Sequence, residues 1–199
     1  AIVGQYGDNL QLYIRRMSEV EMDNERFDLI PATVVHSESF GSGLGDFTQY
    51  SITGAGQIWE HSSSFSCAMM SGYDGSRYAN NDWLISPALN CTGLSDVYLT
   101  FTHAIGYGNY SGIDDELKVY ISSDYAGSGD PSVATWTELE FEMPADLSDY
   151  FEWTNSGEVD LSSYDGQNNI YIAFNYNCGT SNASTWEVKN FAVKGFPAE

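Results

Sequence analysis

The chain has 199 residues, of which 42% are hydrophobic and 15% aromatic, enough to bury one sizeable core with a small appendage. Asp and Glu number 28 against 7 Lys and Arg, which gives a net charge of -21. Because such a surface repels a polyanion, the composition excludes nucleic acid as a partner. No run of about 18 apolar residues occurs, so we expect no insertion of this chain into a membrane.

The first thirty residues differ in composition from the rest. Two short apolar stretches flank a turn of Gly, Asp and Asn at 7–9, which predicts a β-hairpin. Pro31 closes the segment. We interpret residues 1–31 as a hairpin arm or the tail of a preceding domain, and 32–199 as a second unit. The first residue is Ala1 rather than Met, so we expect a leader or an upstream domain to be missing from the sequence.

Five stretches of the second unit alternate apolar and polar side chains and are separated by turns rich in Gly, Asn, Asp and Ser. Side chains at a period of two line one face of a strand, and strands spaced this regularly predict a two-sheet β-sandwich. The predicted strands are 82–87, 97–103, 116–122, 169–176 and 185–193. The aromatic residues predicted to fill the core of the sandwich are Trp83, Phe101, Trp136, Phe174, Trp186 and Phe191.

The sequence carries only weak signals for catalysis. Cys67, Cys91 and Cys178 allow at most one disulfide bridge, and none has a basic neighbour that would activate a thiol. The glycine-rich stretch 41–45 is followed by neither a helix nor a basic residue, so it is not a phosphate loop. His103 is the best single catalytic candidate, but a hydrogen-bonded strand histidine is the favoured interpretation. We therefore predict no catalytic residue and no enzyme.

Short motifs occur in a fixed order between residues 33 and 193. They include Glu38-Ser-Phe40, Asn81-Asp-Trp-Leu-Ile-Ser-Pro87, Val119-Tyr-Ile-Ser-Ser-Asp-Tyr125 and Thr185-Trp-Glu-Val-Lys-Asn190. In this order they resemble the choice-of-anchor J family, jelly-roll domains of secreted and surface lipoproteins of Bacteroidetes. That family is related to the cleaved-adhesin domains of gingipains and, more distantly, to MAM domains. The predicted fold is therefore all-β, a jelly-roll β-sandwich with an N-terminal β-hairpin arm.

The arm carries a resemblance of its own. Tyr13-Ile-Arg-Arg-Met-Ser18 resembles the end of an OB-like domain of unknown function that often precedes this jelly roll. The two resemblances together imply a fragment of a longer protein at the extracellular or outer-membrane surface, attached through a missing N-terminal region. They also imply binding without catalysis.

Aromatic residues in the predicted loops suggest where a ligand binds. Rings stack on sugar faces while Asn, Asp and Arg bond the hydroxyl groups. The predicted ligand-binding residues are Tyr73, Tyr107, Tyr110 and Trp153. We predict a non-catalytic module that binds a glycan or a surface protein. The alternatives are a protein-adhesion or structural spacer module of a surface lipoprotein, and a fragment of a glycoside-active enzyme. Each ring alone also fits a cap on the end of the sandwich.

The resemblance also bears on whether the chain binds a metal ion. Related jelly rolls hold a structural calcium with a Glu of the first strand and an Asp of the last. Glu38 fits the first position, but Lys189 occupies the second. Because Lys supplies no oxygen ligand, we predict no metal site here and a Glu38–Lys189 ion pair instead. No cofactor is predicted, and the acidic stretches 113–116 and 74–82 leave a structural calcium elsewhere open.

Overall fold

The computed structural model describes residues 2–6, 9–13, 30–147 and 150–198. The chain divides into two compact units, Ala1–Pro31 and Ala32–Glu199. In the first unit, strands β1 (Ile2–Tyr6) and β2 (Asn9–Tyr13) pair antiparallel. The predicted hairpin is therefore confirmed. The stretch 14–18, with most of the OB-like resemblance, lies outside the described residues, and the separability of the arm stays a prediction.

The described part of the second unit is built almost entirely of strands. These are β3 (Thr33–Glu38), β4 (Thr48–Thr53), β5 (Glu60–Ser62), β6 (Cys67–Ser71), β7 (Asn80–Ile85), β8 (Leu94–Gly106), β9 (Leu117–Ser122), β10 (Thr137–Leu139), β11 (Thr154–Asn155), β12 (Val159–Asp160), β13 (Tyr171–Cys178) and β14 (Thr185–Pro197). One short helix, α1 (Ile113–Glu116), precedes β9, and two 3₁₀ turns cover Pro131–Val133 and Ser162–Tyr164. None of these described helices is long and apolar enough to span a membrane.

The strands form two antiparallel sheets. The five-stranded sheet has the order β10-β9-β13-β7-β4, and the seven-stranded sheet has the order β11-β8-β14-β6-β5, with β12 also paired to β8 and β3 to β14. The unit is a jelly-roll β-sandwich, as the sequence predicts. The five predicted strands correspond to β7, β8, β9, β13 and β14. Strands β8 and β14 are longer than predicted because they pair with each other along most of their lengths.

The core between the sheets is rich in aromatic rings. Trp186 of β14 packs on Phe174 of β13 with ring centroids 5.6 Å apart, and Phe174 packs edge-on against Phe101 at 5.1 Å. Phe191 also packs edge-on against Phe174, with ring centroids 6.2 Å apart. Fully burying a side chain of this size contributes roughly 1.5 to 3 kcal/mol. The predicted core positions of these four aromatics are confirmed.

Two of the predicted core aromatics lie elsewhere. Trp83 and Trp136 belong to a second cluster on the outer side of the five-stranded sheet, and their ring centroids are 5.2 Å apart. The cause is the strand period, because Leu84 faces the inner core and its neighbour Trp83 must face the other way. The run is apolar at consecutive positions, as expected where both faces of a strand are covered. The prediction that both tryptophans fill the space between the sheets was wrong.

His103 is a structural residue. Its ring is buried, Trp186 Nε1 donates to its Nδ1 at 3.3 Å, and its Nε2 lies 2.9 Å from the Glu142 carbonyl oxygen. Nε2 therefore carries the proton and donates to Glu142. Burial lowers the pKa of His103 and keeps the ring neutral. The interpretation as a hydrogen-bonded strand histidine is confirmed.

Candidate ligand-binding cleft

The outer face of the seven-stranded sheet is defined by alternation along β14. Trp186 and Val188 face the core, so Thr185, Glu187 and Lys189 face outwards. The outward residues are also well covered: Thr185 and Glu187 are buried and Lys189 is half-buried. Other parts of the chain therefore cover much of this face and shield it from solvent.

Small residues on the flanking strands give this face a low floor. Thr185 lies opposite Ser71 of β6 and Gly106 of β8, and Glu187 lies opposite Met69 and Ala104 on the same two strands. Serine, glycine and alanine project little above a sheet. The end of the sheet near Thr185 is therefore recessed between the chain segments that leave β6 and β8.

A cleft of about 310 Å³ occupies this recess. Its lining residues are Ser71, Tyr73, Arg77, Tyr107, Ala183 and Thr185. Tyr73 follows the end of β6 and Tyr107 follows the end of β8, so the strands themselves bring the two rings to the same opening. Both rings are largely free, with Tyr73 58% and Tyr107 62% exposed.

The Tyr107 side of the cleft is held by other rings. Its ring packs edge-on against Tyr150 and Phe151, with centroids 5.3 Å and 6.2 Å away. The Phe151 ring lies directly over Gly106, where a Cβ atom would overlap it. Tyr107 itself has a φ of 59°, in the left-handed region that costs a non-glycine residue energy. The wall is thus set by close packing and by a strained backbone.

Polar groups converge on the floor of the cleft. Thr185 Oγ1 donates to Ser71 Oγ at 3.0 Å, and Ser71 Oγ accepts from the Tyr73 amide at 3.3 Å. Arg77 lies in the same turn as Tyr73 and pairs with it across an isolated β-bridge. Its guanidinium forms no ion pair with any described residue, although the chain is strongly acidic. Hydroxyl donors and acceptors and one free cation therefore face the space between the two rings.

Trp153 lies on the same outer face but outside this cleft. The next residue, Thr154, pairs with His103 of β8, which places Trp153 beside Ala104. The Lys189 ammonium sits 3.4 Å from the centroid of the Trp153 ring, a cation–π contact. One face of this ring is therefore already covered.

Tyr110 is separated from the other predicted ligand residues. It is half-buried, packs against the main core and donates a hydrogen bond to the Glu116 carboxylate. Glu116 in turn accepts from the Ser184 amide and hydroxyl at 2.9 and 2.7 Å. Burial and the neighbouring carboxylate raise the pKa of Tyr110, so the phenol stays protonated. Through Glu116, Tyr110 is linked to Ser184, the residue that precedes β14. Tyr110 lines a different depression from Tyr73.

The predicted Glu38–Lys189 ion pair is absent. Glu38 lies opposite Phe191, and its Oε1 accepts from the Phe40 amide at 2.8 Å. The register of β14 against β8 shifts between Lys189 and Ala192, where Asn190 has a φ of 55°. This irregularity leaves Lys189 over Trp153 instead. The prediction of the pair was wrong, whereas the absence of a calcium site at the junction stays a prediction.

Sequence reasoning missed Glu187. It is only 2% exposed, and desolvation raises the pKa of its carboxyl while the nearby Lys189 ammonium opposes the rise. The alternating stretch Thr185-Trp-Glu-Val-Lys189 contains the signal, because period two puts Glu187 on the same face as Thr185. That face is identified only once the neighbouring strands are known.

A jelly-roll β-sandwich with a cleft on one sheet defines the class of molecule, and comparison with known proteins defines the family. The chain belongs to the family described as a domain of unknown function, DUF5017, whose model matches residues 35–199. No curated protein matches the sequence.

Several solved structures with this fold are cleaved adhesin domains. The K3 and K1 cleaved adhesin domains of Lys-gingipain from Porphyromonas gingivalis W83 each superpose with a TM-score of 0.56, at 16% and 19% identity. The similarity covers 82% of this chain and 99% and 98% of those domains. The K2 domain gives 0.53 at 19% identity, over 79% of this chain and 96% of that domain. The predicted resemblance to these domains is confirmed at the level of the fold.

Proposed function

We propose that this chain is a non-catalytic extracellular binding module and that a glycan binds in the cleft between Tyr73 and Tyr107. The observation that carries the proposal is the pair of exposed rings at one opening, with hydroxyl groups and Arg77 between them. Rings of this kind stack on the apolar faces of sugars, and the polar groups fix the orientation of the sugar hydroxyls.

The fold supports a binding role. The solved domains with which it superposes carry the name of adhesins, and the expectation that this chain is not an enzyme agrees with that comparison. The residues that line the cleft include no carboxylate, whereas a glycoside-active enzyme requires two that face each other. The extracellular location and attachment through an upstream region are part of the same proposal.

One observation favours the alternative of a protein-adhesion module. Tyr150 is exposed and packs against Tyr107, so the aromatic surface continues beyond the rim of the cleft. Tyrosine-rich patches of this kind are common in protein interfaces. A protein partner would cover Tyr150 as well as the cleft, whereas a sugar in the cleft would leave Tyr150 free.

The test is a glycan-array screen of the whole chain followed by titration of the best glycan. We expect Tyr73→Ala and Tyr107→Ala each to lower affinity at least tenfold without a large change in melting temperature. Phe65→Ala is the matched control, because this ring is 59% exposed and is not among the residues that line the cleft. Because stacking involves no ion pair, binding should tolerate salt. Unchanged binding by both tyrosine variants, or an array without signal, would overturn the proposal.

A further inference from the structure

The cleft is bordered on one side by a tight turn of the chain, and a second cleft lies beyond that turn. The turn covers residues 73–77, where the Asp74 amide donates to the Ser76 carbonyl oxygen at 3.0 Å. Tyr73 and Arg77 pair across its base. The position of Tyr73 at the border is therefore set by backbone hydrogen bonds.

The second cleft has a volume of about 320 Å³. The residues that line it include Ile58, Glu60, Met69, Ser71, Tyr73 and Asp74. Met69 and Ser71 are half-buried and the other four are exposed, so the space is open to a ligand. Small-molecule sites span about 300 to 1,000 Å³, and each of the two clefts alone lies at the lower end of that range.

The two clefts share a floor, because Ser71 and Tyr73 line both of them. Ser71 faces outwards, since the preceding Met70 fills the core. Met69 faces outwards for the same reason, and Glu60 of β5 lies directly opposite it on the same face. The clefts therefore lie side by side on the outer face of the seven-stranded sheet.

Together the two clefts form a groove that crosses the strands at one end of the sheet. The first cleft extends from Tyr107, which follows β8, to Ser71 of β6, and the second extends from Ser71 to Glu60 of β5. The strand order here is β8-β14-β6-β5. Because neighbouring strands lie about 4.8 Å apart, the groove spans roughly 14 Å. This length exceeds one sugar ring, so a ligand that fills the groove has at least two units.

The two ends of the groove carry opposite charges. Arg77 is the charged residue among those described that line the first cleft, whereas Glu60 and Asp74 line the second. Neither carboxylate forms an ion pair with a described residue. Carboxylate oxygens accept hydrogen bonds from sugar hydroxyl groups, and bonds to a charged acceptor are about twice as strong as neutral ones. A neutral sugar with free hydroxyl groups therefore suits the second cleft, and an acidic one is repelled from it.

We propose that the second cleft is a further sugar-binding subsite and that the ligand is a linear oligosaccharide of at least two units, which crosses the end of the sheet. This inference rests on the proposed function. One unit lies between Tyr107 and Tyr73. The next unit lies beyond Tyr73, where Glu60 and Asp74 accept hydrogen bonds from its hydroxyl groups. The unit in the second cleft is neutral, and the exposed Tyr73 ring borders both units.

The experiment measures dissociation constants by calorimetry for the tightest-binding linear glycan of the array and for the series obtained by removing one unit at a time from each end. With the wild-type chain, removal of the unit that fills the second cleft should weaken binding about tenfold or more, the range for hydrogen bonds to charged groups. The double variant Glu60→Gln with Asp74→Asn should bind the parent glycan more weakly by a similar factor. Removal of that unit should then cost the double variant nothing further.

The matched control is the double variant Asp46→Asn with Glu158→Gln. It makes the same change in charge at two exposed acids that line neither cleft, and it should bind every glycan as the wild-type chain does. Both double variants should keep the wild-type melting temperature, because all four side chains are exposed.

Tyr107→Ala separates this inference from the proposed function, because it should weaken the binding of every glycan in the series. Suppose that Tyr107→Ala abolishes binding while the Glu60→Gln, Asp74→Asn variant binds every glycan as tightly as wild type. The second cleft is then not a subsite, and the proposed function stands. A loss by the same factor for every glycan of the series would also overturn this inference, since the effect would not depend on the unit in the second cleft. An array without signal for the wild-type chain would overturn both.

Discussion

The outer faces of the two sheets are both rich in aromatic rings, but the rings are arranged differently on the two faces. On the five-stranded sheet, Trp83 stacks on Tyr120 at 5.5 Å and packs on Trp136, and the segment after β9 covers the cluster with Tyr125. On the seven-stranded sheet, the outer face is covered along much of β14 and is recessed only near Thr185, where Tyr73 and Tyr107 stand at the opening. The first face is closed by its own side chains, whereas the second keeps a cleft at one end. Ring content alone therefore does not identify a binding surface.

Trp83→Ala gives the largest effect that this comparison predicts. Trp83 is 8% exposed, and its ring packs against the rings of Tyr120 and Trp136. We expect a loss of about 3 to 5 kcal/mol in the free energy of unfolding, measured by urea denaturation. Tyr107→Ala, a truncation of similar chemistry on the open face, is the control and should cost under about 1 kcal/mol. Equal losses for the two variants would contradict the distinction between the faces.

Asp82 precedes Trp83 and faces inwards, where neither of its carboxyl oxygens has a partner among the described residues. Burial raises its pKa to about 7. Since the unfolded value is near 3.9, the native state holds the extra proton between these limits, so stability falls as pH rises from about 4 to about 7. The loss attributable to this residue is on the order of 2 to 4 kcal/mol.

Asp82→Asn tests this dependence. The amide cannot ionise, so the variant should match or exceed the wild-type free energy of unfolding at pH 8 and should show a flatter profile between pH 4 and 7. Denaturation at pH 5 and pH 8 measures both. A variant that is less stable than wild type at pH 8, with the slope unchanged, would show that another group titrates.

Gly106→Ala probes the wall of the open face. The added methyl group overlaps the Phe151 ring, so that ring must move. Its movement disturbs the edge-on contact between Phe151 and Tyr107. We expect a cost of about 1 to 3 kcal/mol, together with weaker glycan binding. Gly75→Ala is unsuitable as a control because its φ is 70°, whereas Gly56→Ala meets no neighbouring atom. Equal melting of Gly106→Ala and Gly56→Ala would mean that Phe151 yields without strain.

Tyr107→Gly gives the smallest expected change in stability. It removes an exposed ring but also relieves a positive φ, so the two effects offset within about 1 kcal/mol. Binding should fall as much as in Tyr107→Ala. A glycine variant that retains full affinity would show that the Tyr107 ring is dispensable and that the site lies elsewhere.

The sequence predicts these strands well because each is a short apolar or alternating run bounded by turn residues, as in β9 and β13. It does not tell which face of a strand is the core when both faces are apolar, and for that reason Trp83 and Trp136 were misplaced. The pairing of strands determines where the cleft lies, because Tyr73 and Tyr107 come together only when β6 and β8 both flank β14. No local sequence pattern indicates this order of strands.

The same limit explains the remaining differences at the site. Tyr110 stands three residues from Tyr107 in a similar loop, yet its hydroxyl reaches the buried Glu116 instead of the cleft. The β14 irregularity after Lys189 redirects its ammonium from Glu38 to Trp153. Lys189 and Trp153 are distant in sequence, and Tyr110 reaches a carboxylate that Ser184 of a distant segment also binds. Single-residue chemistry reveals neither outcome.

Two buried thiols of the described residues lie on different sheets and can report the local opening of each sheet separately. Cys67 lies on β6 of the seven-stranded sheet and Cys178 on β13 of the five-stranded sheet, and both are free and buried. Burial raises the pKa of Cys67 to about 12, so only about one thiol in a hundred thousand is ionised at pH 7. Each cysteine therefore reacts with a thiol reagent only when its own part of the sandwich opens, and the two labelling rates report the local opening of each sheet.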